Sequence, residues 1–154
     1  AKSGRGARGL MQLMPRTAAE MGRDRRFRRG KGRDALFNPK INIELGSKYL
    51  SHLMYNGDKV RNLFKTLAAY NAGPGKLGRW ESKINYQNDP LMFMESIPSP
   101  ETRNFIEQVF IGLWIYRFRL DQPAPSLTQL AEGNWPHYKS VSNKKMEGFS
   151  NARN

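Results

Sequence analysis

The sequence predicts a mainly α-helical protein with little or no β structure, and three observations carry that prediction. Apolar residues recur at helical spacing over most of the chain, period-2 alternation is almost missing, and the periodic runs are bounded by capping residues, prolines and glycines. With 154 residues the chain is long enough for one compact domain that buries roughly two-thirds of its unfolded surface. The expected division is a folded domain over 1–138 and a polar tail over 139–154.

Taken in order, Arg16 to Met21 reads as a short helix behind the segment GARGLMQLMP. Gly22 to Arg33 holds seven basic residues and one acid and reads as a solvated basic loop. Ile41, Leu45, Tyr49 and Leu53 then recur every four residues, with Leu50 and Met54 widening the stripe. Asn38-Pro39 supplies their cap and first turn, and Asn56-Gly57 the stop. Val60, Leu63, Phe64, Leu67 and Ala68 mark a helix from near Asp58 to the AGPG at 72–75. Another opens at Ser99-Pro100, carries Phe105, Val109, Leu113 and Trp114, and breaks at Asp121-Gln122-Pro123. Its FIGLWIY run at 110–116 falls far short of the roughly 20 apolar residues of a membrane span and reads as buried helix. Leu127 to Ala131 is a short helix, and the polar residues after Tyr138 read as a loosely docked tail.

Composition excludes several chemistries. Cysteine is absent, so there is no disulfide framework, thiolate metal site or thiol nucleophile. His52 and His137 are too few and too scattered to suggest a metal cluster. Twenty-six Lys and Arg against thirteen Asp and Glu give +13, which points to a polyanionic partner: nucleic acid, an anionic membrane surface or an acidic wall polymer. No nucleic-acid motif accompanies the basic run and Phe27 is its only aromatic, so specific nucleic-acid binding is not expected. No signal peptide is visible, and the opening AKSGRG reads as an excerpt of something longer.

Three segments hold polar residues that helix packing does not require. They are Gly9 to Pro15 with Gln12 between Met11 and Leu13, Ala68 to Gly73 with Tyr70 and Asn71, and Glu95 to Pro98 followed by Glu101-Thr102-Arg103. Amide, phenol and carboxylate groups on rigid helix ends suit a neutral, hydroxyl-rich ligand such as a sugar, and flexible Met14 suits the wall of its groove. Each also has an ordinary structural role: Asn71 as a C-cap, Glu101 as a first-turn charge, Tyr70 as core with its hydroxyl at the surface.

The order GARGLMQLMP, INIELGSKYL, LAAYNAGPG, ESIPSPETRNF, with NWPHY at the end, resembles the soluble lytic transglycosylase family from Ala1 to about Tyr138. The resemblance implies a lysozyme-like fold and cleavage of the bond between N-acetylmuramic acid and N-acetylglucosamine in peptidoglycan, with a 1,6-anhydromuramic acid end. It implies no metal or cofactor and a monomeric protein of the bacterial cell envelope, in the periplasm, that contacts peptidoglycan strands; the charge of +13 adds attraction to an anionic wall or membrane surface. Carried over by position, Gln12 and Met14 line the groove, Tyr70 lies near the acid, Asn71 hydrogen-bonds sugar, and Glu101 holds substrate or neighbouring side chains. The family's general-acid glutamate stands in an E-S-x-F-x-P-x-A-x-S pattern of which Ala1-Lys2-Ser3 is the tail, so it falls seven positions before Ala1. The chain as written is then expected to bind glycan weakly and cleave it negligibly. The alternative acid is Glu147, which a head-to-tail joining of the termini would bring near that pattern, although residues 138–146 lack an apolar face. The rival functions are a goose-type lysozyme-like hydrolase and a catalytically inactive glycan-binding or scaffold domain.

Overall fold

A computed structural model describes residues 3–55 and 61–139. The Asn56-Gly57 stop, the position of Val60, Glu147 and the tail from residue 140 lie outside the described residues. Eight α-helices and two 3-10 turns make up the described chain, and among the described residues there is no strand, only two isolated bridges. The expected mainly α class holds. Backbone contacts divide the chain into two compact units, Ala1–Val60 and Arg61–Asn154.

The first unit contains α1 (Pro15–Met21), a 3-10 turn at Arg25–Arg28, α2 (Gly30–Asp34), a second 3-10 turn at Ala35–Phe37, and α3 (Pro39–Tyr55). Leu13, Ala18, Leu36 and Leu45 form its core, flanked by Met11, Met21, Phe27, Ile41 and Tyr49. The four-residue spacing of Ile41, Leu45 and Tyr49 is the core-facing stripe of α3, as read from the sequence. Asn38 Oδ1 caps that helix by accepting from the Lys40 amide at 3.0 Å. The basic stretch is helical, which corrects the expected loop. Asp24 caps its 3-10 turn by accepting the Arg26 amide at 2.9 Å, and Phe27 anchors the turn on the core. Gly32 lies so close to this turn that a Cβ there would sit 2.1 Å from the Arg26 carbonyl oxygen.

The second unit contains α4 (Leu63–Ala72), α5 (Pro74–Glu81), α6 (Pro90–Ser96), α7 (Pro100–Arg119) and α8 (Pro125–Ala131). The expected helix start near Asp58 is corrected to Leu63. Arg61 stands at φ 63°, and Asn62 caps the helix by accepting the Lys65 amide at 3.1 Å. Buried Phe64 of α4 packs edge-on against Phe110 of α7, with ring centroids 4.9 Å apart, and Phe110 continues to Trp114 at 5.4 Å. Only one face of α7 is covered, which corrects the fully buried reading of FIGLWIY: Ile111, Ile115 and Tyr116 are exposed. The NWPHY segment folds back beside the start of α4. Leu63 donates its amide to the Pro136 carbonyl at 2.8 Å, and the Tyr138 amide donates to the Arg61 carbonyl at 2.7 Å.

Six of these eight helices start on proline, at Pro15, Pro39, Pro74, Pro90, Pro100 and Pro125. Proline at the first helical position loses no hydrogen bond and brings a preset φ. Pro74 starts α5 where the sequence predicts only the end of α4, and Asp89, whose side chain accepts the Met92 amide at 2.8 Å, starts α6 ahead of Pro90 where the sequence predicts no helix.

Candidate functional site

In the first unit the site residues sit on a closed loop. Arg8 and Leu13 exchange backbone hydrogen bonds at 2.9 and 3.0 Å, so residues 9–12 make a tight turn ahead of α1. Fully buried Asn42 of α3 holds that turn from below. Its Oδ1 accepts the Met11 amide at 2.6 Å and its Nδ2 donates to the Arg8 carbonyl at 2.9 Å. Gly9 is required here on two counts: its φ is +78°, and a Cβ would lie 2.3 Å from the Leu36 carbonyl and 2.4 Å from the Asn42 amide. Gln12 also stands in the left-handed region, at φ 48°, and ties back through Nε2 to the Gly9 carbonyl at 2.7 Å. A non-glycine residue held there is a strained position of the kind that gathers at binding sites. Gln12 and Met14 are both exposed, while Leu13 between them is buried. The turn thus presents an amide and a thioether on the same short stretch and anchors itself through the leucine.

In the second unit the end of α4 meets the start of α7. Tyr70 lies parallel to Phe105, with an interplanar angle of 5° and ring centroids 6.3 Å apart. Asn71 Oδ1 accepts from the buried Thr102 hydroxyl at 2.7 Å, and Ser99, the N-cap of α7, lies 2.9 Å from that hydroxyl. With its carbonyl so occupied, Asn71 offers a ligand its NH2 donors. Glu101 is exposed in the first turn of α7, adjacent to Thr102 and one turn before Phe105 on the same face. Tyr70, Asn71 and Glu101 are therefore brought together by two helix ends. The C-cap of α4 is Gly73, at φ 90°, and Asn71 sits in the last turn, so the capping role considered for Asn71 belongs to Gly73. Arg103 stiffens the approach to α7 by donating to the Ile97 carbonyl.

Of the residues that support the site, the sequence marks Ser99 as a helix start and Thr102 as part of a polar segment, but gives no sign of Asn42. Ser99 was visible as a cap before Pro100, whereas the reach of Asn42 to Arg8 spans 34 positions and carries no local signal.

The charged groups in reach of chemistry are limited. Among the described residues no glutamate is buried; Glu81, partly covered, pairs with Lys65 at 3.2 Å. Hydrogen bonding from Arg26 holds the Asp24 carboxyl below its usual value, and Lys48, 2.7 Å away, does the same for Glu44. Burial, with a smaller push from Glu20, raises the Tyr49 phenol. Among the described residues no group of His, Asp and Glu is placed to hold a metal ion.

The family model described as the transglycosylase SLT domain matches residues 1–93. The chain belongs to the transglycosylase SLT family. It is 36% identical over 121 residues to the soluble lytic murein transglycosylase of Salmonella typhimurium, covering 79% of this chain and 18% of that protein. It is also 36% identical over 123 residues to the enzyme of the same name from Escherichia coli K12, covering 79% and 19%. The SLT chain thus spans about a fifth of the length of these curated relatives. Among solved structures, the 70 kDa soluble lytic transglycosylase of Escherichia coli aligns with a TM-score of 0.70 at 32% identity, over 90% of this chain and 22% of that one. An inactive glutamate-to-glutamine mutant of the lytic transglycosylase Slt from Pseudomonas aeruginosa aligns with a TM-score of 0.67 at 38% identity, over 81% and 20%. The SLT chain has the lysozyme-like fold of the lytic transglycosylases.

Proposed function

We propose that this SLT chain is the glycan-holding part of a peptidoglycan lytic transglycosylase, which cleaves the bond between N-acetylmuramic acid and N-acetylglucosamine and leaves a 1,6-anhydromuramic acid end. The family match is the observation that carries this reading, and the names of the relatives, murein transglycosylases, support its substrate. Gln12 and Met14 in the first unit, and Tyr70, Asn71 and Glu101 in the second, each contact the glycan strand. The setting is the bacterial cell envelope, in the periplasm, and the protein works as a monomer.

The proton donor is the weak point of the chain as written. A general acid working near neutral pH must be shielded from water, so that its carboxyl stays protonated until the leaving oxygen needs it. No described glutamate is buried in that way. The acid is therefore proposed to come from an upstream E-S-x-F-x-P segment, seven positions before Ala1. After donating, its carboxylate takes the proton from the C6 hydroxyl of the muramic residue, and that oxygen closes onto the anomeric carbon in place of water. The inactive glutamate-to-glutamine mutant among the relatives is in keeping with a single essential glutamate in that protein.

The test compares the 154-residue chain with one extended upstream through that segment, both incubated with sacculi. Mass spectrometry should find anhydromuropeptides, one water lighter than hydrolysed ends, from the extended chain, and at least about 10²-fold fewer from the short one. Products that carry the added water would assign a goose-type hydrolase instead. Full activity of the short chain, lost on Glu147→Gln, would place the acid at Glu147.

A further inference from the structure

The first unit carries two arginine-lined hollows that share Arg28. One, of about 590 Å³, is lined by Arg8, Arg16, Arg28 and Arg33 beside Gly6 and Met14. The other, of about 1160 Å³, adds Arg25, Arg26, Arg29 and Lys31. Three carboxylates are set against these cations. Asp34 takes Arg8 at 2.6 Å, Glu20 is shared by Arg16 at 3.2 Å and Arg28 at 3.7 Å, and Asp24 takes Arg26 at 2.8 Å. Arg25, Arg29, Lys31 and Arg33 make no ion pair with a described residue, and Arg8 Nε is buried with no hydrogen-bond partner. A soluble surface normally intersperses its signs, and an excess of cations around two adjoining concavities focuses positive potential into them.

We propose that these hollows form one trough that binds a linear, phosphate-bearing polymer without bases. Three features select that ligand. The cations line concavities, which a flexible chain can enter and a flat lipid surface cannot. The lining cations are arginines with a single lysine, and each guanidinium offers a fork of donors that takes two oxygens of a tetrahedral phosphate. Phe27, the one aromatic ring in the lining, is half-buried and packed on the core against Gly22, so a run of bases would find a single half-covered ring and no series of stacking platforms.

Inorganic polyphosphate, titrated into the full 154-residue chain at a series of salt concentrations, is the probe. Single-stranded DNA, poly-glutamate and vesicles containing phosphatidylglycerol serve as parallel arms at matched charge. Polyphosphate is expected to bind tightest, with an affinity that falls roughly as the third to fifth power of salt concentration, as for several phosphates contacted together. The Arg28→Gln/Arg33→Gln double variant should weaken it at least about 10-fold, while Arg79→Gln/Arg119→Gln, which removes the same charge from the second unit, should change it less than about twofold. In the unaltered chain, polyphosphate should also protect Arg28 and Arg33 from phenylglyoxal. Equal loss in the two double variants, absent protection, or tighter binding of any other arm would overturn the proposal.

Discussion

Lys65 in the second unit and the arginine cluster at 16–33 in the first are cations held in opposite ways. In the second, Lys65 is enclosed: its Nζ lies 4.8 Å from the ring centre of Trp135, 5.7 Å from Tyr86 and 5.9 Å from Phe93, with Glu81 at 3.2 Å. Trp135 Nε1 donates to Asn88 at 3.0 Å and locks the cage from outside. Lys65 there works as a structural bolt, fastening the 134–138 segment to α4 through cation–π attraction in a partly dry setting. In the first unit most arginines stand open, Arg16 with 82% of its side chain exposed, and hold little of the fold together; Arg8, covered and paired with Asp34, is the exception. A net charge of +13 is therefore two different things, and only the open part is available to a ligand.

The two site amides differ in the same sense. Asn42 is wholly buried and both ends of its amide serve the turn at 8–11; Asn71 is half-buried and only one end is bound, to Thr102. The first is scaffold for the turn, and the second keeps its NH2 donors at the surface. Replacing Asn42 by leucine should have the largest effect, because it strands the Met11 amide at about 1–3 kcal/mol and takes from the Arg8 carbonyl one of its two donors, worth about 1 kcal/mol. Urea unfolding should register a loss of roughly 2–4 kcal/mol on that basis, with Asn71→Ala costing about 1 kcal/mol or less. A comparable loss from both variants would erase the contrast.

Next comes the cage. Lys65→Met should lower stability by about 1–2 kcal/mol, since cation–π and ion-pair contacts that are largely shielded from water contribute on that scale. Trp135 fluorescence should shift as the ring loses its ammonium. Arg28→Gln should leave the unfolding midpoint within about 0.5 kcal/mol, as is usual for exposed side chains. If Arg28→Gln proves the more damaging of the pair, the open arginines are structural after all.

Thr102→Val should cost about 1 kcal/mol of stability and a larger share of glycan affinity, since Asn71 loses the bond that fixes its amide. Thr102→Ser keeps the hydroxyl and should restore binding. Calorimetry with chitooligosaccharide would separate the two effects; affinity that tracks stability in both variants would argue against a positioning role.

The smallest expected effect is a pH dependence in the first unit. Burial raises the Tyr49 phenol above its value of about 10 in the unfolded chain, so the neutral form is favoured in the fold. For a group raised in this way, the stabilisation is complete below the unfolded value and is lost as pH climbs through the folded one. Between pH 9 and 11, thermal unfolding of the unaltered chain should therefore fall more steeply than that of Tyr49→Phe. Parallel profiles would mean that Tyr49 is hydrated in solution.

Much of the helical plan was legible because it is written in local terms. The Ile41-Leu45-Tyr49 stripe, the Asn38 and Ser99 caps, and the break at 121–123 each depend on residues within a turn or two of one another. The readings that needed correction have local causes too. Asn62, not Asp58, starts α4, because a left-handed Arg61 turns the chain just before it. Phe27 draws the basic stretch into a helical turn that its charge had disguised as a loop.

By itself, the sequence determined the helical class, five of the eight described helices, the family order of motifs and the short roster of candidate glycan contacts. Tertiary structure decided what supports those contacts and which charges remain open. Asn42 reaches Arg8 across 34 positions and Thr102 reaches Asn71 across 31, and nothing near either residue announces the partner. Nor does composition separate Lys65 from Arg33. One is enclosed by rings contributed from positions 86, 93 and 135, the other is left to solvent, and that difference arises only when distant segments exclude water together.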